Sequence, residues 1–147
     1  METMNKKEAM ERLSSIEEET KQLRKIIEKA DEPKNIMERV KTFEDACNVL
    51  GISPTFSHPY PERIKARLKL EIIFLALNEG WKPDWSNSNE YKYYPYFEMS
   101  PFGFDGAAYG RWYTYSFAGS RLCGKTDTIA QYAGRQFEDL YKIYLTE

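Results

Sequence analysis

Seven positions, Ala9, Leu13, Ile16, Thr20, Leu23, Ile27 and Ala30, recur at alternating four- and three-residue steps near the start of the chain. That spacing is the seam of a coiled coil. Residues 1–32 are dense in Glu and Lys and contain neither Gly nor Pro, so one long helix is expected there, stopped by Pro33. About three heptads make only a marginal helix in water. The seam therefore needs cover, from a second copy of the chain or from the chain's own domain.

The pattern then breaks into shorter pieces. Residues 35–40 suit a short turn. Thr42 is placed as an N-cap, with Glu44 and Asp45 in the first turn of a helix whose apolar face is Phe43, Ala46, Val49 and Leu50, ended by Gly51. Residues 52–61 hold three prolines and read as a loop. Pro61 opens a second helix, closed by Gly80, and its stretch 70–77 is apolar nearly all round, as befits a central buried helix. Beyond Gly80 the period changes from helical to extended. Strands are expected over 91–99 and 109–117, with a turn at 100–108 and a short third strand at 121–125. Thr126 caps a last helix in which Ile129, Ala133, Phe137, Leu140 and Tyr144 share a face, and Gly134 inside it marks close packing against the sheet. The expected fold is α+β. An oligomerising coiled-coil helix occupies 1–32. A compact α+β ligand-binding domain occupies 33–147, with a central buried helix and a small antiparallel, aromatic-rich sheet closed by the C-terminal helix.

Composition sharpens one part of this picture. Fourteen of the 22 aromatic residues fall within residues 81–117. Aromatic residues are ordinary strand formers, and a sheet core could absorb most of them. However, Tyr93, Tyr94, Tyr96 and Phe97 surround Pro95, so rings occupy both faces of that strand. One face can serve the core, and the other is free to meet a helix, a partner or a planar ligand. A net charge of −2 and a pI near 5.6 argue against a general nucleic-acid binder, which normally carries a basic surface. No apolar run approaches the ~20 residues that span a bilayer, and the first residues lack the apolar core of a secretory signal, so a cytoplasmic location is expected. Cys47 and Cys123 stand alone and are expected to be buried free thiols.

Candidate chemistry is sparse. Residues 119–126, GSRLCGKT, match the phosphate-binding pattern GxxxxGK[ST] and lie between an expected strand and a helix. Only 21 residues follow Thr126, which leaves no room for the further parallel strands and the magnesium-binding aspartate of such an enzyme. His58 is the sole histidine, in a proline-rich loop, which excludes multi-histidine metal sites. Asp84, Glu90, Glu98 and Asp105 show no paired spacing. No catalytic residue, metal ligand or cofactor is expected. Arg24, Arg67, Arg111, Arg121 and Lys125 are the cations suited to an anionic ligand, and Tyr94, Phe97 and Tyr109 are the rings suited to stack on its base. Arg111 and Arg121 are favoured because they adjoin the aromatic strands.

The segments KTFEDACNVLGI (41–52), LNEGWKPDW (77–85), YYPYFEMS (93–100), GSRLCGKT (119–126) and YAGRQFEDLY (132–141) resemble a family of small proteins abundant in phages and prophages of gut Bacteroidota. In that family an aromatic residue commonly stands at the position of Gly124, which implies that the phosphate-loop match is accidental. The layout also resembles the first family of Thoeris anti-defence proteins. That resemblance implies a phage sponge, acting in the host cytoplasm, which binds cyclic ADP-ribose isomers, and in some members cyclic oligonucleotides, without cleaving them. It further implies self-association through the helices into dimers or hexamers. The competing expectation is a virion or assembly protein acting only through protein contacts, and a third is a single-stranded nucleic-acid binder.

Overall fold

The structure, a computed structural model, describes residues 5–31, 34–100, 103–114 and 121–147. Pro33, residues 115–117 of the expected second strand, and Gly119 and Ser120 of the phosphate-loop match lie outside the described residues. The chain divides into two compact units, Met1–Lys34 and Asn35–Glu147.

The first unit holds helix α1 (Lys6–Asp31). Its start is fixed by a reciprocal cap: the Glu8 amide donates to Asn5 Oδ1 at 3.0 Å, and the Asn5 amide donates to Glu8 Oε2 at 3.2 Å. Leu13, Ile16, Leu23 and Ile27 are each 57–59% exposed. Thr20, in the same seam, donates its hydroxyl to the Ile16 carbonyl at 2.7 Å, so its polar atom is satisfied within the helix.

The second unit contains α2 (Ile36–Arg39), α3 (Phe43–Leu50), α4 (Glu62–Leu77), an antiparallel hairpin β1 (Lys92–Ser100) and β2 (Gly103–Trp112), then α5 (Asp127–Gln136) and α6 (Glu138–Thr146). The fold is α+β. Helix α4 is the central element, with Leu70, Ile73, Phe74 and Leu77 buried, while α3 and α6 pack along it and α5 lies against both strands. Leu75 departs from the expectation that this stretch is buried all round: it is 60% exposed. Cys47 and Cys123 are free and buried. Among the described residues no helix is long and apolar enough to cross a membrane.

Local chemistry explains the helix ends. Thr42 Oγ1 accepts from the Asp45 amide at 3.1 Å, and the Asp45 carboxylate accepts from the Thr42 and Lys41 amides, so α3 begins in a full capping box. Gly51 ends it at φ 68°, a left-handed conformation that other residues adopt only with strain. The buried Asn78, just past α4, donates to the Cys123 carbonyl at 2.8 Å and accepts from the Lys125 amide at 2.9 Å. One side chain thereby joins the end of α4 to the segment before α5.

Three expectations need correction. The second strand begins at Gly103, inside the stretch read as a turn. Its Gly and Ala residues have weak strand propensity, yet they pair opposite bulky residues of β1: Tyr94 with Gly110, Tyr96 with Ala108 and Phe97 with Ala107. The expected third strand at 121–125 is a single bridge, in which Gly124 and Tyr93 exchange amide bonds of 2.7 and 3.2 Å. The expected single C-terminal helix bends at Phe137 (φ −112°, ψ 27°) into α5 and α6. The bend serves packing: Phe137 and Tyr141 both reach the core, while α6 turns onto α4.

The capping box makes a measurable prediction. Hydrogen bonds from the Lys41 and Thr42 amides hold the Asp45 carboxyl below its usual value of 3.8. A lowered value means that the cap's contribution is complete above that usual value and is lost as pH falls through the lowered one. Thr42→Ala is expected to cost about 1 kcal/mol in urea unfolding at neutral pH. Asp45→Asn is expected to flatten the loss of stability that sets in as pH falls below the usual carboxylate value.

Candidate ligand-binding site

Hairpin register decides which side chains meet. Antiparallel pairing places Lys92, Tyr94 and Tyr96 on one face with Trp112, Gly110 and Ala108. Lys92 and Trp112 are buried, so this end of the face turns inward, while Tyr96 at the other end is exposed. A side chain at Gly110 would place Cβ 2.5 Å from the Tyr94 hydroxyl. Its absence lets the Tyr94 ring lie across the strand and stack on Trp112, with centroids 4.0 Å apart and planes 21° from parallel.

Lys92 is 0% exposed, and its cage accounts for that. Its ammonium donates to the Asn87 and Glu90 carbonyls at 3.1 and 2.8 Å, stands 3.4 Å from the Glu90 carboxylate, and lies 5.4 Å from the Trp85 ring. Trp85 in turn contacts Trp112 at 6.0 Å. A caged cation of this kind supports the tryptophans and has little left to offer a ligand.

Beside the Tyr94–Trp112 stack is a cavity of about 290 Å³ between the hairpin and α6. Phe97, Leu122, Tyr141 and Tyr144 complete most of its wall, with the Phe97 and Tyr141 rings 4.7 Å apart. Among the described residues, Trp112 Nε1 and Tyr141 Oη are buried and have no hydrogen-bond partner. Burial, and then the neighbouring Tyr144, push the Tyr141 hydroxyl well above its ordinary value of 10.0, so it keeps its proton. Arg67 backs the cavity through Tyr144, donating Nη1–H to the Tyr144 hydroxyl at 2.9 Å. Its Nε and Nη2 are engaged by Glu71 at 3.0 and 2.9 Å.

The opposite face of the hairpin carries a different set. Arg111 lies 4.5 Å over the Tyr91 ring and 6.0 Å from that of Tyr113, while Tyr93 contacts Tyr109 at 6.1 Å. Tyr91, Tyr109 and Arg111 are exposed.

The expected site residues therefore divide. Tyr94 and Phe97 line the cavity, and Arg67 stands behind it. Tyr109 and Arg111 pair with Pro95 and Tyr93, on the other face from Tyr94, and do not join it; Phe97 belongs to that same alternate set but reaches the cavity next to the irregularity in the ladder between Phe97 and Glu98. Arg121 is exposed, one residue before cavity-lining Leu122. Lys125 is ion-paired with Glu79 at 3.0 Å. Arg24 belongs to the first unit. Trp112 and Tyr141 were missing from the sequence-based set. Trp112 adjoins Arg111, and Tyr141 sits three residues before Tyr144 on the helical face already marked, which are the signals that point to them.

The phosphate-loop match has structural uses for its described members. Thr126 caps α5, accepting from the Ile129 amide at 3.2 Å. Gly124 forms the bridge to Tyr93, and a Cβ there would come within 2.7 Å of Ile129 Cγ2. His58 is exposed and meets Tyr60 edge-on at 5.7 Å.

Comparison with known protein families, curated proteins and solved structures finds no match to this chain.

Two predictions test this geometry. Gly110→Ala is expected to displace Tyr94 from Trp112, with loss of near-ultraviolet circular dichroism and a cost of about 1–3 kcal/mol typical of overpacking. Burial also pushes the Cys123 thiol up to about 12 and raises that of Cys47. At pH 8 roughly one part in ten thousand of Cys123 would be thiolate, so labelling by a disulfide reagent should proceed at the rate of opening of the fold. Rapid labelling of both thiols in folded protein would contradict their placement.

Proposed function

We propose that this protein sequesters a small cyclic nucleotide signal of the cyclic ADP-ribose class, binding it without altering it, as a phage-encoded anti-defence sponge in the host cytoplasm. The observation that carries this reading is the ring-walled cavity beside the Tyr94–Trp112 stack. Its rings offer planar surface at little entropic cost, and nucleobases are planar. Arg121, adjacent in sequence to cavity-lining Leu122, is the cation assigned to the ligand's phosphate. Sequestration needs only affinity, and every role assigned here is one of contact.

Self-association belongs to the same proposal. The exposed seam Leu13, Ile16, Leu23 and Ile27 suits a second copy of the helix, which would bury those side chains. The same seam also favours the second reading, an assembly protein acting only through protein contacts.

The two readings separate on ligand binding. Cyclic ADP-ribose isomers, cyclic oligonucleotides and oligo-dT can be compared by thermal unfolding. A cognate ligand at 100 times its dissociation constant is expected to stabilise by ~2.7 kcal/mol. Heat release should then return it chemically intact, whereas cleavage in proportion to protein concentration would contradict sequestration. Arg121→Ala is expected to weaken binding at least tenfold, since charge-assisted hydrogen bonds contribute roughly 1.5–3 kcal/mol. No shift with any of these ligands would leave the assembly reading. Replacing both Leu23 and Ile27 with Asp is expected to move the light-scattering mass toward monomer, and an unchanged mass would remove the seam from self-association.

A further inference from the structure

We infer that α1 pairs with α1 of a second copy in parallel, with the same residues of the two helices side by side. The inference rests on the self-association reading for the existence of the pair, and adds its direction and register.

The seam sets what can face what. Leu13, Thr20 and Ile27 take the a positions of its heptads, and Ala9, Ile16, Leu23 and Ala30 take the d positions. Met10 and Ile26, flanking the seam at e and g, are 64% and 63% exposed, so the apolar stripe is wider than the seam itself. Thr20 does not obstruct cover. Its hydroxyl is already bonded to the Ile16 carbonyl at 2.7 Å and can be enclosed without losing a partner. Apolar contact alone leaves the direction open, because the Leu and Ile side chains meet apolar neighbours in either sense.

Charge chooses the direction. Arg12 and Glu19 hold g positions, Glu17 and Arg24 hold e positions, and all of them are exposed. In a parallel, in-register pair each g residue faces the e residue five positions further along the other helix. Arg12 then faces Glu17 of the copy and Glu19 faces Arg24, and the two-fold axis repeats both contacts. Each of these charges meets its opposite.

An antiparallel pair brings e to e and g to g instead. Its fullest overlap, with Leu13 against Leu23 of the copy, sets Glu17 against Glu17 and Glu19 against Glu19. Sliding by a heptad, so that Ile16 meets Ile27, keeps only the Glu17–Arg24 attraction and leaves Ala9 without a facing residue in α1. Sliding the other way carries Ile27 past the start of the copy's α1. The parallel register alone covers the whole seam without opposing like charges. Both chains therefore leave the paired helices at the same end, after Asp31.

The test uses the full chain in an oxidised and reduced glutathione buffer. Cys47 and Cys123 are buried, and new cysteines at d positions report which residues meet. Ala9→Cys and Ala30→Cys should each form a disulfide-linked dimer with its own kind. An equimolar mixture of the two variants should give no link between them. The two full-overlap and heptad-shifted antiparallel registers hold residue 30 about 25 Å or more from its own copy, too far for a disulfide. In sedimentation equilibrium, Arg24→Glu should weaken the dimer roughly tenfold by setting Glu19 against a carboxylate. Adding Glu19→Arg should restore it, since the pair is then reversed and again attractive.

Links only between Ala9→Cys and Ala30→Cys would overturn the parallel direction, and so would the absence of any self-link in a protein that sediments as a dimer. A double variant no tighter than Arg24→Glu would overturn the register. Each of these outcomes spares the self-association reading. A wild-type protein that sediments as a monomer would overturn both, and none of these results touches the binding of a cyclic nucleotide.

Discussion

The Tyr94 ring lies flat on Trp112, 4.0 Å away, and it can do so because Gly110 stands opposite it without a side chain. Much of the second unit depends on this contact. It joins the two strands through their side chains, brings Trp112 against Trp85, and thereby closes the apolar side of the cage around the Lys92 ammonium. It also builds one wall of the cavity. A ring contact of this kind adds roughly 0.5–1.5 kcal/mol beyond area burial, but its larger effect is geometric, because it fixes which face of the hairpin turns inward.

A two-stranded hairpin is marginal by itself in water, so this one needs the helices. Three ties supply that support. Tyr93 and Gly124 exchange amide hydrogen bonds, Asn78 links the end of α4 to Cys123 and Lys125, and α5 lies against both strands. The bend at Phe137 then sends α6 along α4 and places Tyr141 opposite Phe97. The cavity is a by-product of that bend.

Local signals in the chain were legible wherever a single residue type carries a single physical meaning. Thr42 with Asp45, Gly51 and Thr126 marked helix ends by capping chemistry, and the apolar stretch of α4 marked the centre of the core. Strand β2 was misplaced because its Gly and Ala residues speak for a loop locally, and only the tyrosines across the sheet make them good partners. The division between α5 and α6 carries no Pro or Gly at the bend. It follows from where Phe137 and Tyr141 must be buried, which is tertiary information. At the site, Tyr94 and Phe97 were readable as ligand-facing candidates from their density of rings. That Arg111 stands on the far face was not, since face assignment needs the register, and the place of Trp112 and Tyr141 in the cavity wall becomes visible only once their surroundings are built.

The central claim is that the cavity between hairpin and α6 receives the ring of a cyclic nucleotide signal. Intermolecular nuclear Overhauser effects between bound cyclic ADP-ribose and the protein test it most directly. The account predicts contacts from the base protons to the rings of Tyr94, Trp112 and Tyr141. Contacts confined to Tyr91, Tyr109 and Tyr113, around Arg111 on the opposite face, would contradict it.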